Sequence, residues 1–218
     1  KAEFEKDDLF EPNDTIKIKQ TSFEAIVKEL QKYNLSTTSD DVKGIAFEKF
    51  LGKTFRGELG QFFTPRPIVN FMVELLDPQE GEVICDPCCG SGGFLIKAFE
   101  YVREKIEKEI IEQKAQITKS VLGDDLPTDS EERDIERAKI NPYIERLERE
   151  LDTKYEGGRL HHLANDCIFG TDANPRMAHT SKMNMIMHGD GHCGVHHRDG
   201  LLNINGIFEN RFDVILTN

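Results

Sequence analysis

The sequence predicts an α/β fold built on a doubly wound, mostly parallel sheet, with a small helical segment ahead of it. Three observations carry this prediction. Val83 to Leu95 passes from a short apolar run ending in an acid, through glycines, into a helical pattern. Cys167 to Asp172 is a second apolar run ending in an acid, followed by a helix start at Asn174-Pro175. Phe212 to Asn218 is a third run, ending in an amide. Buried parallel strands read as continuous apolar stretches, and their alternation with helices defines the class.

Lys1 to Lys19 is charged without a sustained period and reads as a linking segment. From Ser22, Phe23, Ile26, Val27 and Leu30 form a helical face expected to pack on something. After the polar break Ser36 to Asp40, Ser39 or Asp40 caps a helix carrying Val42, Ile45, Ala46, Phe47, Phe50 and Leu51. Residues 1–59 are therefore expected to be a helical N-terminal segment, the end of a helical domain. In Gly60-Gln61-Phe62-Phe63-Thr64-Pro65, Thr64 suits an N-cap and Pro65 a first helical position. Ile68, Val69, Phe71, Met72, Leu75 and Leu76 then repeat at helical spacing up to Asp77-Pro78. An aromatic pair and a hydroxyl at that helix start suit a nucleoside or amino-acid pocket.

In the central unit, Val83, Ile84 and Cys85 suit a strand, and Gly90, Gly92 and Gly93 permit a tight turn. Ser91 is the polar side chain among them, and Phe94, Leu95, Ala98, Val102, Ile106 and Ile110 mark the helix that follows. A ligand would sit on that helix N-terminus. Asp86, at the strand end, disfavours a phosphate and favours a cation. S-adenosylmethionine, with an ammonium and a sulfonium beside one carboxylate, matches that mixed charge.

From about 103 to 165 the chain is a charged helical insertion, in which Arg133, Glu136, Arg137, Glu145, Arg146, Glu148, Arg149 and Glu150 support solvated helix faces. The alternative is that its arginines touch phosphates, but the neighbouring acids cancel such a patch. Asn141-Pro142 and Gly157-Gly158 are expected to break the region. Asp172 is placed to accept hydrogen bonds from ribose hydroxyls, as acids at second-strand ends do. Val121-Leu122-Gly123-Asp124 is a weaker competitor for that strand. A third strand is expected around Val195, delivering Asp199 and Gly200 to the same edge, and Phe212 to Asn218 delivers Asn218 there. His188, His192, Cys193, His196 and His197, with Cys85 and Cys88, lack the paired spacing of a metal site, and no metal is expected.

The 218 residues allow one good-sized core, and 28 Lys+Arg against 40 Asp+Glu give a formal net charge of -12. Nucleic-acid contact then has to come from a local patch, a further part of the protein or a partner. Five cysteines, no signal peptide and no long apolar run imply reduced thiols, a cytoplasmic location and no membrane association. An apolar run directly before Asn218 suggests a fragment of a longer protein, and a strand there at a sheet edge would invite self-association.

Taken together, these pieces resemble the adenine-N6 DNA methyltransferases, most closely the modification (M) subunits of type I restriction-modification systems. Gly60 to Pro65 is similar to the motif preceding the family's glycine loop, and Asp86-Pro87-Cys88-Cys89-Gly90-Ser91-Gly92-Gly93-Phe94 to its cofactor signature. Gly170-Thr171-Asp172-Ala173-Asn174-Pro175 is similar to the ribose-binding strand end, and Asp213 to Asn218 to the run entering the Asn-Pro-Pro-aromatic motif.

The resemblance implies a Rossmann-like S-adenosylmethionine-dependent methyltransferase fold, truncated, over residues 60–218. It implies Asn218 as the catalytic residue. For the cofactor it implies Gln61, Phe63, Thr64, Asp86, Cys88, Gly90, Ser91, Gly92, Gly93, Asp172, Ala173, Asp199 and Gly200. In the family the Asn amide and a Pro carbonyl accept from the target amine of a flipped adenine, on which the aromatic stacks. The two prolines and the aromatic are not in this sequence, so cofactor binding is expected to exceed methyl transfer. DNA, a specificity (S) subunit and a restriction (R) subunit are the implied partners. The alternatives are methylation of RNA or a protein amide, and a non-catalytic assembly platform; Asp86 and the glycine spacing disfavour a dinucleotide oxidoreductase.

Overall fold

The structure, a computed structural model, describes residues 15, 17–33, 49, 64–122, 130–189, 194–202 and 211–218. Helix α1 is Gln20–Leu30 and α2 is Arg66–Leu76. Strand β1 (Ile84–Asp86) leads into α3 (Gly93–Leu122), followed by α4 (Ser130–Arg149) and the short α5 (Arg159–His162). A π-helical turn, Leu163–Cys167, enters β2 (Ile168–Asp172), and α6 (Pro175–Met187), β3 (Val195–His197) and β4 (Val214–Ile215) complete the order.

The apolar runs pair as one parallel sheet in the order β3-β2-β1-β4. Ile84 lies opposite Ile168 on one side and Val214 on the other, so β1 is central and all three of its residues are buried. The chain steps outward from β1 to β3 and then returns to the far side of β1 for β4. That reversal opens a crevice at the carboxyl ends of the strands, where ligands bind in this class of sheet.

Helix α3 covers the sheet with a stripe of Leu95, Ile96, Phe99, Val102, Ile106 and Ile110, all at or below 1% exposure. It can approach β2 because Gly170 has no side chain; a Cβ there would meet Leu95 Cδ1 at 2.5 Å. Helix α2 adds Val69 and Val73, and α6 adds Met177, Ala178 and Met185 to the same core. The chain leaves α2 at Asp77, which takes a left-handed φ of 48° before Pro78. Its carboxylate then accepts from Tyr101 (2.7 Å) and Lys105 (2.5 Å), tying the end of α2 to α3.

Several expectations shift. Helix α2 starts one residue later than expected, with Pro65 at the N-cap and the Ile68 N–H donating to the Pro65 carbonyl at 2.9 Å, so Thr64 is not the cap. Val121-Leu122 forms the last turn of α3 rather than a strand, and the charged stretch begins inside α3. Pro142 sits within α4 and does not end it, because α4 packs along α3 and buries Ile140. Among the described residues no side chain of α1 is buried, so the apolar face expected to pack is exposed. Apart from Lys49, the helix expected over Val42 to Leu51 lies outside the described residues, as does the segment Gly60 to Phe63. No described helix is long and apolar enough to cross a membrane.

Phe99 is among the largest fully buried side chains and lies mid-stripe on α3. Phe99→Ala is expected to lower unfolding stability by about 3–5 kcal/mol, read as a shift of the urea midpoint.

Candidate active site

The glycine loop joins β1 to α3 and is stitched to the end of β2. The Gly90 N–H donates to Asp172 Oδ2 (2.9 Å) and the Cys89 N–H to the Thr171 carbonyl (2.8 Å). Thr171 Oγ1 donates to the Pro87 carbonyl at 2.8 Å, and the Cys88 N–H to Asp86 Oδ1 at 3.0 Å. Gly90 and Gly92 have φ of 55° and 86°, which glycine adopts without strain. At Gly92 a Cβ would also meet Ser181 Oγ of α6 at 2.6 Å. The N–H groups of Cys88, Cys89 and Gly90 thus face the protein's own oxygens, unlike a loop that cradles pyrophosphate with bare amides.

Asp172 Oδ1 accepts from the Asn174 N–H (2.8 Å), and Asn174 Oδ1 accepts from the Arg176 N–H (2.9 Å), capping α6. The Ala173 carbonyl accepts from His197 Nε2 at 3.1 Å. Asp199 Oδ1 holds the Leu201 N–H at 3.0 Å, and Gly200 packs so closely on Pro87 that a Cβ would collide with the Pro87 carbonyl oxygen. The loop after β3 therefore closes directly against the glycine loop.

Negative charge concentrates here. Asp86 is 1% exposed, and burial pushes its carboxyl up to about 6 against hydrogen bonds from the Cys88 N–H and the Thr217 side chain; Asp172 raises it further. Burial raises the Cys88 thiol, and the charges of Asp86, Asp172 and Asp199 add to that rise. Burial, then Asp86, pushes Cys85 up to about 12, leaving it an inert thiol.

The opposite wall is formed by β4. The Leu216 N–H donates to the Cys85 carbonyl (3.0 Å), carrying the chain alongside β1. Thr217 then bonds both Asp86 and Cys88, and Asn218 Nδ2 donates to Thr64 Oγ1 at 3.0 Å. Across the base, Arg66 donates to the Gly93 carbonyl (3.4 Å), joining the starts of α2 and α3.

The structure brings Thr64, Asp86, Cys88, Gly90, Ser91, Gly92, Gly93, Asp172, Ala173, Asp199, Gly200 and Asn218 to one end of the sheet. Gln61 and Phe63, with His192 and Cys193, lie outside the described residues. His188 instead pairs with Glu100 at 2.8 Å. Among the described residues no three His, Cys, Asp or Glu side chains could hold a metal. Sequence reasoning missed Thr217, Ser181 and Asn184, whose Nδ2 donates to the Ser91 carbonyl at 2.9 Å. A signal existed: Ser181 and Asn184 are polar residues inside the buried stripe of α6.

A parallel α/β sheet whose order reverses beside β1, with Asp86, Asp172 and Asp199 near that switch point, has the architecture of an α/β ligand-binding domain. The chain belongs to the N-6 DNA Methylase family, whose profile it matches over residues 38–218. It is 36% identical over 90 residues to the type I restriction enzyme EcoEI methylase subunit of Escherichia coli, covering 40% of this chain and 18% of that subunit. Over 75 residues it is 44% identical to the MjaIX methylase subunit of Methanocaldococcus jannaschii, covering 33% of this chain and 12% of that one. A solved chain from work on assembly and conformational transition of the type I R-M system superposes with a TM-score of 0.55 at 25% identity. That match covers 91% of this chain and 31% of the other, so the chain spans less than a third of the length of these relatives.

Asp86 is neutral in the fold up to about pH 6, whereas an unfolded aspartate ionises near its ordinary 3.8. The native state holds the extra proton between these values, so stability falls as pH rises through that window. Asp86→Asn is expected to be more stable than the parent by about 1–3 kcal/mol at pH 7.5, with the gain shrinking toward pH 4. Urea unfolding at the two pH values checks this.

Proposed function

We propose that the chain is the cofactor-binding part of a DNA adenine-N6 methyltransferase that takes its methyl group from S-adenosylmethionine, as the methylase subunit of a type I restriction-modification complex. The observation that carries this is the convergence of Asp86, Asp172 and Asp199 on Cys88, beside a wall that ends in Asn218. Membership of the N-6 DNA Methylase family supports the class of reaction.

The residues fit such a donor. When bound, S-adenosylmethionine supplies an electrophilic methyl on a positively charged sulfur. Burying a carboxylate is costly, and Asp86 shows that cost in its raised pKa; a cationic group beside it offsets the cost. Each Asp172 oxygen holds one backbone N–H and keeps a second lone pair, which suits it to ribose hydroxyls. Cys88, Gly90, Ser91, Gly92 and Gly93 form the floor, with Thr64 and Asn218 at the β4 side and Ala173, Asp199 and Gly200 at the β3 side. Gln61 and Phe63 are assigned to the same pocket through the motif they share with Thr64. Asn218 offers an amide oxygen to the target amino group, holding its nitrogen in line for direct transfer, so catalysis is by positioning. Adenine reaches this edge only when flipped from the duplex.

A chain of net charge -12 is a poor polyanion binder by itself, and a specificity subunit is assigned the sequence-reading and much of the phosphate contact, with a restriction subunit completing the complex. Affinity for S-adenosylmethionine is expected to weaken below pH 6, approaching about tenfold per pH unit, because the donor favours ionised Asp86. Isothermal calorimetry from pH 5 to 8 measures this, and a flat profile would remove Asp86 from the donor site.

The reaction itself is tested with the full-length subunit and its specificity partner, using radiolabelled methyl transfer to DNA, RNA and protein. DNA labelling at adenine N6 is expected, with Asn218→Ala reducing it by about 10²–10³. Labelling of RNA or protein instead would replace the substrate. Donor binding without any transfer would favour an assembly role.

A further inference from the structure

The glycine loop is held from two directions. Its first half, Cys89 and Gly90, bonds to the end of β2, and its second half, Ser91 and Gly92, lies against α6. Asn184 Nδ2 donates to the Ser91 carbonyl at 2.9 Å, across 93 residues of sequence. One helical turn earlier, Ser181 packs so closely on Gly92 that a Cβ there would meet Ser181 Oγ at 2.6 Å. Both polar side chains of α6 are buried, and their spacing of three residues puts them on one face of the helix. The bond to Ser91 has a defined polarity. A peptide carbonyl only accepts, so the contact requires the NH2 end of the Asn184 amide and is not met by its oxygen. The N–H of the same peptide, that of Gly92, donates to the Cys89 carbonyl at 2.8 Å. Both polar groups of the Ser91–Gly92 peptide are thereby engaged, one by the loop itself and one by α6. Gly92, at a φ of 86°, imposes little barrier to rotation of that peptide, since glycine takes either sign of φ.

We infer that Asn184 is a positioning residue for donor binding: its amide holds the Ser91 carbonyl against α6 and so fixes the Ser91–Gly92 peptide in the orientation that presents the loop to S-adenosylmethionine. This rests on the reading of Gly90 to Gly93 as the floor of the donor site. Asn184, buried behind the loop, acts through Ser91 and Gly92 rather than on the donor. Helix α6 is in turn capped by Asn174, whose N–H is held by Asp172. The floor and the acid assigned to the ribose therefore share one support. A loop released at this peptide divides its time among several shapes, and apparent affinity falls with the fraction in the matching one.

The experiment uses the full-length subunit and compares Asn184→Leu and Asn184→Ala with the parent. Leucine keeps the bulk and alanine removes it, but both delete the N–H donor, so either carries the test if the other fails to fold. Calorimetric titration with S-adenosylmethionine gives affinity and stoichiometry separately. Each variant is expected to bind about 10- to 50-fold more weakly, with the stoichiometry of the parent. A merely structural role predicts the reverse, because an unfolded fraction removes sites and leaves the affinity of the rest unchanged. Hydrogen exchange read by mass spectrometry should show residues 88–93 exchanging at least about fivefold faster, with residues 185–187 of α6 within about twofold of the parent. Parent-like affinity in a folded variant overturns the inference, as does a fall in stoichiometry alone, faster exchange throughout α6, or failure of both variants to fold. If the parent itself does not bind S-adenosylmethionine, the reading of the loop as the donor floor fails and the inference with it; if the parent binds and the variants bind equally well, only the role of Asn184 fails.

Discussion

The hydrogen bond from the Gly90 N–H to Asp172 joins segments 82 residues apart, and the geometry of the crevice depends on it. A loop with two glycines at positive φ has many accessible shapes, and this contact, with Cys89 on Thr171 and Thr171 on Pro87, selects one. The other oxygen of the same carboxylate holds the Asn174 N–H at the entry to α6. One side chain thus sets the loop after β1 and the helix after β2 together. The same arrangement commits the N–H groups of Cys88, Cys89 and Gly90 to the protein's own oxygens.

Asp86 shows why such a site is held at a cost. A buried acid raised to about 6 lies closer to neutral than any surface aspartate, and the native state is less stable for it at neutral pH. A core optimised for stability alone would place an amide or an aliphatic residue there. Burial is thus the main cause of both the raised carboxyl and the local instability at Asp86.

Much of this was legible in the sequence. The recurring sequence of apolar run, acid and helix start places β1, β2 and the ends carrying Asp86 and Asp172, because burial of parallel strands and capping by Asn174 are local rules. The third strand at Val195 and the fourth at Val214 follow the same logic. What was not legible depends on contacts between distant elements. Thr64 reads locally as a cap, and only the return of β4 to the side of β1 shows its hydroxyl bonded to Asn218. Pro142 reads locally as a break, yet packing of α4 on α3 carries the helix through it. Thr217 carries no local signal at all, since its partners Asp86 and Cys88 are neighbours only across the sheet.

Helix α3 runs for 30 residues, about 45 Å, but among the described side chains its last buried aliphatic residue is Ile110. Beyond it the helix meets α4 through contacts such as Lys114 with Glu148 at 3.0 Å, and Arg159 bonds back to both Glu80 and Glu109. The outer part of the helical pair therefore lies at the opposite end of α3 from the glycine loop. Lengthening or shortening it by whole turns leaves the register of β2 against β1 intact, since that register is set by Ile84 with Ile168 and by the π-helical turn that delivers the strand. A change in the reach of the outer arm therefore leaves the strand ends that carry Asp86 and Asp172 where they are.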